Sequence, residues 1–576
     1  NNPSSKYEAD GRAVILITRK LSRKEGFQAI VSETASFKKE FNNYAGINSS
    51  LKLKDTEFKA NFNYNALNPW ESNGSNYEIP SQNIVSGYGV AGVTKRNNYV
   101  FGGGIFHTID ENNSLSFSLN GNLKSDDFDF NTNTNNQDNN AQTNLHTIGK
   151  TIGDRNYINS FFNYNKKINE SANLFAGLQY SNYNTDSVIR SSNNYNETIY
   201  EPFQMMDQDF KVDVFSGRLD FDKKFANEMK WEIGAIHSSA NADTNLKIEN
   251  FEQNTVSAST YNLKEKNTSA YTQLSGTFAK ISWLLGVRAE NTNIEGKYAT
   301  ETVASIKKDY TNFFPKLQVD IPIDSTKTIS FNYAKTISRP DFSSTSNGET
   351  YINPYFVFSS NINLNPALSN EFSVNFQYHD KSVKLAYFNN KNVMNYGFQY
   401  NEQENILIYR PENFDKEIGY NLEFTLPFTH KIWSSTNVFS VIVNKIEDAS
   451  ALVGNEKPYL YYYSNQTFAF KKEWSLWASG FGLTQRDEGV FKRNAFFMMN
   501  IGVSKTYKNL SCTLSFNDIF NGSTFTENFK VNNVQSSAVF FGDNRECSIA
   551  LRYTFGKLKD SVYKEKEVNE NSDRIK

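Results

Sequence analysis

Hydrophobic and polar residues alternate along most of this chain with the two-residue period of a β-strand, and the alternating segments come in pairs. Glu371-Phe372-Ser373-Val374-Asn375-Phe376-Gln377-Tyr378 turns over His379-Asp380-Lys381-Ser382 into Val383-Lys384-Leu385-Ala386-Tyr387. Glu546-Cys547-Ser548-Ile549-Ala550-Leu551-Arg552-Tyr553-Thr554-Phe555 closes the series. The spacing predicts outward strands near 26–36, 57–65, 112–123, 171–183, 228–240, 282–293, 327–336, 383–396, 432–447, 475–487 and 508–517. Returning strands fall near 41–53, 98–109, 156–167, 209–225, 268–280, 311–323, 368–379, 414–428, 458–471, 492–505 and 545–556. That is an all-β chain of about 22 strands, an even number in the range of bacterial membrane barrels.

The connectors decide what kind of β protein this is. Short turns, such as 110–113, 225–228, 323–326, 429–431 and 507–509, alternate with long excursions at 66–97, 124–155, 184–208, 241–267, 337–367 and 518–544. Structureless loops of that length are uncommon in a compact soluble domain. A transmembrane antiparallel β-barrel requires this asymmetry, with long extracellular loops and short periplasmic turns. The last strand then ends at the periplasm, and counting backward starts the first strand there too. Period-two faces put Ile549, Leu551, Tyr553 and Phe555 toward lipid, and Ser548, Ala550, Arg552 and Thr554 toward the lumen. They also put Trp283, Leu285 and Val287 outward with Gly286, Arg288 and Glu290 inward, while Trp231, beside a turn, reads as an interfacial anchor.

Composition agrees. Aromatics are 15% of the 576 residues, with 47 Phe and 32 Tyr, yet hydrophobic residues total only 38% and mean hydropathy is −0.60. No run approaches the roughly 18–20 apolar residues of a transmembrane helix, and a barrel is polar overall because its lumen and loops are wet. A net charge of −2 without a basic stripe argues against nucleic acid as partner. No nucleophile elbow, catalytic constellation or zinc spacing is present, so no enzyme activity is expected. Cys512 and Cys547 read as small lipid-facing side chains on the last two strands, with a disulfide left open.

Candidate sites are few. Arg288, Glu290, Glu371, Glu417, Glu423 and Arg552 are expected lumen charges, because a charge facing hydrocarbon at mid-depth costs about 2–4 kcal/mol. They could hold a plug, line a substrate path or form ion pairs within the wall. Tyr351, Tyr355, Phe356 and Phe358 lie in a long extracellular loop and could grip a ligand or partner, or pack against neighbouring loops. No cofactor is expected. Asp127 to Asn133 offers oxygens at alternate positions, a pattern compatible with Ca²⁺, but a hydrophilic surface loop is the better reading. Residues 1–24, whose 14–17 stretch is a short apolar run bounded by charge, stand apart from the barrel at 25–556. Residues 557–576, rich in both charge signs, are expected to form a disordered periplasmic tail. Export requires a signal peptide and none stands at Asn1, so the chain is expected to be mature or trimmed.

Four stretches, in order along the chain, resemble the TonB-dependent receptor superfamily, in particular the large outer-membrane barrel family of the Bacteroidota. They are Asn2 to Gly11 leading into Val14-Ile15-Leu16-Ile17-Thr18, and Leu285-Gly286-Val287-Arg288-Ala289-Glu290-Asn291-Thr292. Phe314-Pro315 with Ile337-Ser338-Arg339-Pro340 and Asn363-Leu364-Asn365-Pro366, then Asn517-Asp518-Ile519-Phe520-Asn521, complete the set. The resemblance implies that 1–24 is the end of a plug domain. The rest of the plug and a TonB-contacting box would precede Asn1, unless the barrel has lost energy coupling. It implies uptake of a substrate across the outer membrane, with the TonB complex pulling on the plug. A barrel acting as scaffold or accessory subunit of an envelope complex is the alternative. Expected partners are outer-membrane lipid and lipopolysaccharide, the TonB complex if a plug exists, and a surface lipoprotein or other envelope protein.

Overall fold

A computed structural model describes residues 25–138, 141–195, 199–451, 457–557, 568, 574 and 575. The backbone forms one 29-stranded sheet, within which 22 antiparallel strands close into a barrel. Closure is made by the first and last strands, Gly26–Phe37 and Glu546–Lys557, with Ala29 opposite Phe555 and Ala35 opposite Ile549. In hydrocarbon every backbone N–H and C=O needs a partner within the protein, and a closed sheet supplies one without leaving an edge. The proposed strand count and parity are thus realised.

The faces follow the period. Leu219, Leu285, Phe313, Tyr420 and Leu551 point outward and are 44–59% exposed, whereas Gly286, Arg288, Glu290 and Thr292 are buried inside. On the last strand Ile549, Leu551, Tyr553 and Phe555 face outward and Ser548 inward, as expected. Trp231, Trp283, Trp433 and Trp474 each stand within a few residues of a short turn. The Trp231 indole N–H donates to Thr272 Oγ1 at 2.9 Å, and that of Trp433 to Gln466 Oε1 at 2.8 Å. Such an aromatic belt marks the membrane–water interface. Cys512 lies opposite Leu551 and Cys547 opposite Phe516. This offset along the strands leaves both thiols free, since a disulfide needs Cα atoms within about 7 Å.

The long excursions are mostly not loops. Asn113–Asp138 and Ala141–Asn169 stay paired from Asn113↔Lys166 to Asp138↔Ala141, and Lys230–Asn250 pairs in the same way with Thr255–Phe278. The second strand of the first hairpin is 29 residues long, far beyond the roughly 9–11 needed to span a membrane. Alternation persists above the membrane, so the barrel wall continues into water. The stretch from Asp127 to Asn133 is accordingly strand, and the Lys150 ammonium lies 2.8 Å from Asp127 and 3.6 Å from Asp129.

Two excursions fold over or into the barrel instead. The 518–544 segment forms a hairpin, Phe525–Val531 with Val534–Phe541, that pairs with Trp70–Ile79. The 337–367 segment turns inward, and its strand Phe356–Ser359 lies parallel to Leu407–Tyr409 of the wall. The proposed plug remnant at 1–24 lies outside the described residues, as does most of the proposed periplasmic tail. Val568, Arg574 and Ile575 of that tail are described, and all three are buried against the lumen wall. They depart from a solvated tail because wall side chains supply partners for them.

Carboxylates lock the short turns. Asp324 Oδ1 accepts the N–H groups of Thr326 (2.8 Å) and Lys327 (3.0 Å), and Asp110 accepts those of Asn112 and Asn113. Hydrogen bonds from Thr326, then Lys327, hold the Asp324 carboxyl well below the usual range. Those from Asn112 and Asn113 do the same for Asp110. A carboxyl depressed in the folded state adds stability above its unfolded pKa, about 4, and loses it as pH falls through the folded value. Asp324→Ala should therefore lower the unfolding temperature at pH 7, with the deficit shrinking below about pH 4. Leu551→Arg should cost about 2–4 kcal/mol in urea unfolding from lipid if the residue sits near the midplane, and Arg552→Leu less than about 1 kcal/mol.

Candidate functional site

The lumen face carries the side chains able to bind or gate. On Ile281–Tyr298, Arg288 donates to Glu290 Oε2 through Nε (3.0 Å) and Nη2 (2.9 Å), and both are almost wholly buried. The other Glu290 oxygen pairs with the Arg339 guanidinium, which enters from the inward-folded segment. Thr292 Oγ1 accepts from Asn267 Nδ2 at 3.1 Å. Two stretches far apart in sequence thus meet: the Arg-x-Glu-x-Thr ladder of the wall receives the arginine of Ile337-Ser338-Arg339-Pro340. Ile337 packs on Phe314, both buried with Leu368 beside them, which orients the start of the segment. At its far end Lys308 donates to the carbonyls of Asn363 (3.1 Å) and Leu364 (2.8 Å), and Asn365 and Asn413 exchange hydrogen bonds.

The other proposed lumen charges serve the wall locally. Glu371 accepts from Lys384 at 2.8 Å. Glu417 accepts from Asn390 (2.9 Å) and Asn444 (2.8 Å), and Glu423 from Ser440 (3.5 Å). Arg552 lies opposite Ser32 and Ser511 and remains exposed in the lumen. Only Arg288 and Glu290 come together; the six do not converge on one site.

The loop aromatics have a different fate from an open gripping surface. Phe356 is 2% exposed and sits in a core with Tyr77, Tyr88, Phe398, Leu407 and Phe529. The Phe398 and Phe529 rings stack at 4.6 Å, and Phe356 lies 5.0 Å from Tyr88. Phe358 packs against this cluster, Tyr351 donates to Glu349 at 3.3 Å, and the Tyr355 carbonyl accepts from Tyr77. Burial of so many apolar rings turns the mouth of the barrel into a packed lid rather than an open pore. Beside it lies a cavity of about 680 Å³ whose walls include Tyr77, Glu78, Arg486, Lys492, Phe529 and Lys530. A second, of about 790 Å³, is lined by Tyr88, Asn133, Thr134, His146 and Tyr200 among others. Arg493 bridges Glu488 (2.8 Å) and Glu527 (3.0 Å) at the rim. Among the described residues no group of three or more His, Cys, Asp or Glu is placed to hold a metal ion.

Two features escaped the sequence reading. Glu265 looked like one charge in a polar excursion, and Arg574 like part of a solvated tail, yet they form a buried ion pair at 2.7 Å. Asp518, within Asn517-Asp518-Ile519-Phe520-Asn521, is a fully buried turn lock that accepts N–H from Gly522 (2.7 Å) and Ser523 (3.1 Å). The available signal was the Asn517-to-Asn521 stretch itself, noted for its resemblance without a role for Asp518.

A closed barrel of this strand number, its wall lined with paired charges, defines a multi-pass outer-membrane β-barrel. Residues 192–553 match the family described as "Outer membrane protein beta-barrel family", and the chain belongs to it. Solved structures share the fold, which is TonB-dependent-receptor-like. The copper transporter OprC aligns with a TM-score of 0.65 at 11% identity over 93% of this chain and 81% of its own. FpvA of P. aeruginosa, bound to heterologous pyoverdines, aligns at 0.60 with 13% identity over 92% and 72%. The ferric enterobactin receptor PfeA of Pseudomonas aeruginosa aligns at 0.56 with 12% identity over 93% and 81%. These relatives are receptors and transporters rather than enzymes. A comparison with curated proteins found no match.

Removing the carboxylate that joins two buried guanidinium groups leaves uncompensated charge, at a cost of about 3–5 kcal/mol. Glu290→Ala should therefore destabilise the folded barrel by that order in urea unfolding, while Glu423→Ala, held by one long hydrogen bond, should change little.

Proposed function

We propose that this barrel is a TonB-dependent transporter-like receptor that takes up a scarce solute across the outer membrane. The observation that carries the reading is the covered mouth. An aromatic lid, in which Phe356 of the inward-folded 337–367 segment packs among Tyr77, Tyr88, Phe398 and Phe529 of other excursions, lies over the barrel top, with cavities of about 680 and 790 Å³ beside it. A diffusion pore would need an open lumen, whereas a receptor needs a ligand-sized recess outside a gate. Likeness in fold to proteins named a copper transporter and a ferric enterobactin receptor supports uptake as the role. In this reading the outer recess captures the solute, and energy from the TonB complex moves the occupant of the lumen to open a path.

Growth of a deletion strain on single limiting nutrients, such as iron chelates, cobalamin, oligosaccharides or peptides, tests the proposal. The expected result is a defect on one nutrient class, reproduced by loss of the TonB complex and repaired by the wild-type gene. Normal growth on every limiting nutrient, combined with loss of an envelope complex from the membrane, would replace uptake with a scaffold role.

A further inference from the structure

The described residues of the C-terminal segment are held inside the barrel by a set of contacts that fits one side chain. Arg574 donates to both oxygens of Glu265, at 2.7 and 2.9 Å, and through Nε to the Pro340 carbonyl at 2.9 Å. Its guanidinium carbon lies 4.3 Å from the centre of the Phe342 ring. Glu265 is 2% exposed and Phe342 wholly buried. A bidentate carboxylate, a carbonyl on Nε and an aromatic face together select a planar guanidinium over an ammonium.

The neighbouring residues extend the fit. The Phe342 N–H donates back to the Arg574 carbonyl at 3.2 Å. Ile575, wholly buried, joins an apolar cluster with Phe210, Val212, Val214, Tyr261 and Leu263. Further along the wall the Val568 N–H donates to Gln179 Oε1 at 2.8 Å. Val568 rests against Gly177, where an added Cβ would come within 2.6 Å of its methyl group. The cradle is therefore shared by wall strands (Gly177, Gln179, Glu265) and by the inward-folded segment (Pro340, Phe342), whose Arg339 is anchored on Glu290.

We propose that the lumen contains a guanidinium-binding cradle, formed by Glu265, the Pro340 carbonyl and the Phe342 ring, whose occupant is this chain's own Arg574. Arg574 and Ile575 then tie the inward-folded segment to the wall. This goes beyond the uptake reading and does not depend on it, since docking is measured without transport.

The test uses the full chain assembled in cells, with Cys512 and Cys547 replaced by serine and cysteines placed at Gly177 and Val568 (G177C with V568C). Heat-dependent migration on gels reports barrel folding in every variant. The expected result is an intramolecular disulfide under mild oxidation, because the two side-chain positions lie within bonding reach. Arg574→Glu should slow cross-linking about tenfold or more by setting like charges together, and Arg574→Lys, which keeps the charge but loses the planar fork, should slow it less. Absence of the cross-link in a folded barrel, its persistence at the unchanged rate in Arg574→Glu, or equal slowing by Arg574→Lys and Arg574→Glu in folded barrels would each overturn the proposal.

Discussion

Everything in this molecule depends on satisfying the backbone in a medium that offers no hydrogen bonds. The register between Gly26–Phe37 and Glu546–Lys557 closes the sheet and removes the two edges an open sheet would leave. Once closure is fixed, the period of two does the rest. Alternate residues are assigned to lipid or lumen without further choice, and the tight turns are confined to one rim. Because the same alternation runs on past the membrane, the wall rises into water and provides a stage on which the mouth can be built.

The interior solves the opposite problem. A lumen of this width cannot be filled by wall side chains alone, and charges facing it must be paired or hydrated. The chain answers with short polar ladders along single strands, Arg288 with Glu290 being the most buried, and with segments folded back from outside. Arg339 on Glu290 joins the two devices, so the inward segment is registered against the wall by an ion pair as well as by the packing of Ile337 on Phe314. Breaking such a pair is costly, whereas an apolar replacement of the whole set would be tolerated better. The arrangement thus fixes geometry more than it adds net stability.

Much of the wall was legible in the sequence because its signal is local. Leu285, Val287, Arg288 and Glu290 declare their faces by position alone, and the turn at Asp324 declares itself by residue type. What could not be read is where long excursions go. Asp127-Phe128-Asp129-Phe130 has the pattern of a strand, but its polarity suggested a loop until pairing with the neighbouring hairpin arm was seen. Phe356 looked like an exposed ligand contact because its partners, Tyr77, Phe398 and Phe529, come from three other parts of the chain. Glu265 and Arg574 are more than three hundred residues apart, and no periodicity links them. Contacts of that separation depend on the closed barrel being present first.

Arg574 and its cradle belong to one covalent chain, which changes how tightly the contact needs to hold. The covalent link to the barrel presents the arginine to Glu265 at an effective concentration on the order of millimolar, far above that of a free peptide. Even a contact too weak to recruit a free peptide then stays occupied. A segment in that regime behaves as a latch tuned by its length as much as by its chemistry. Extending or shortening the chain after the last strand would shift its occupancy without altering a single contact residue.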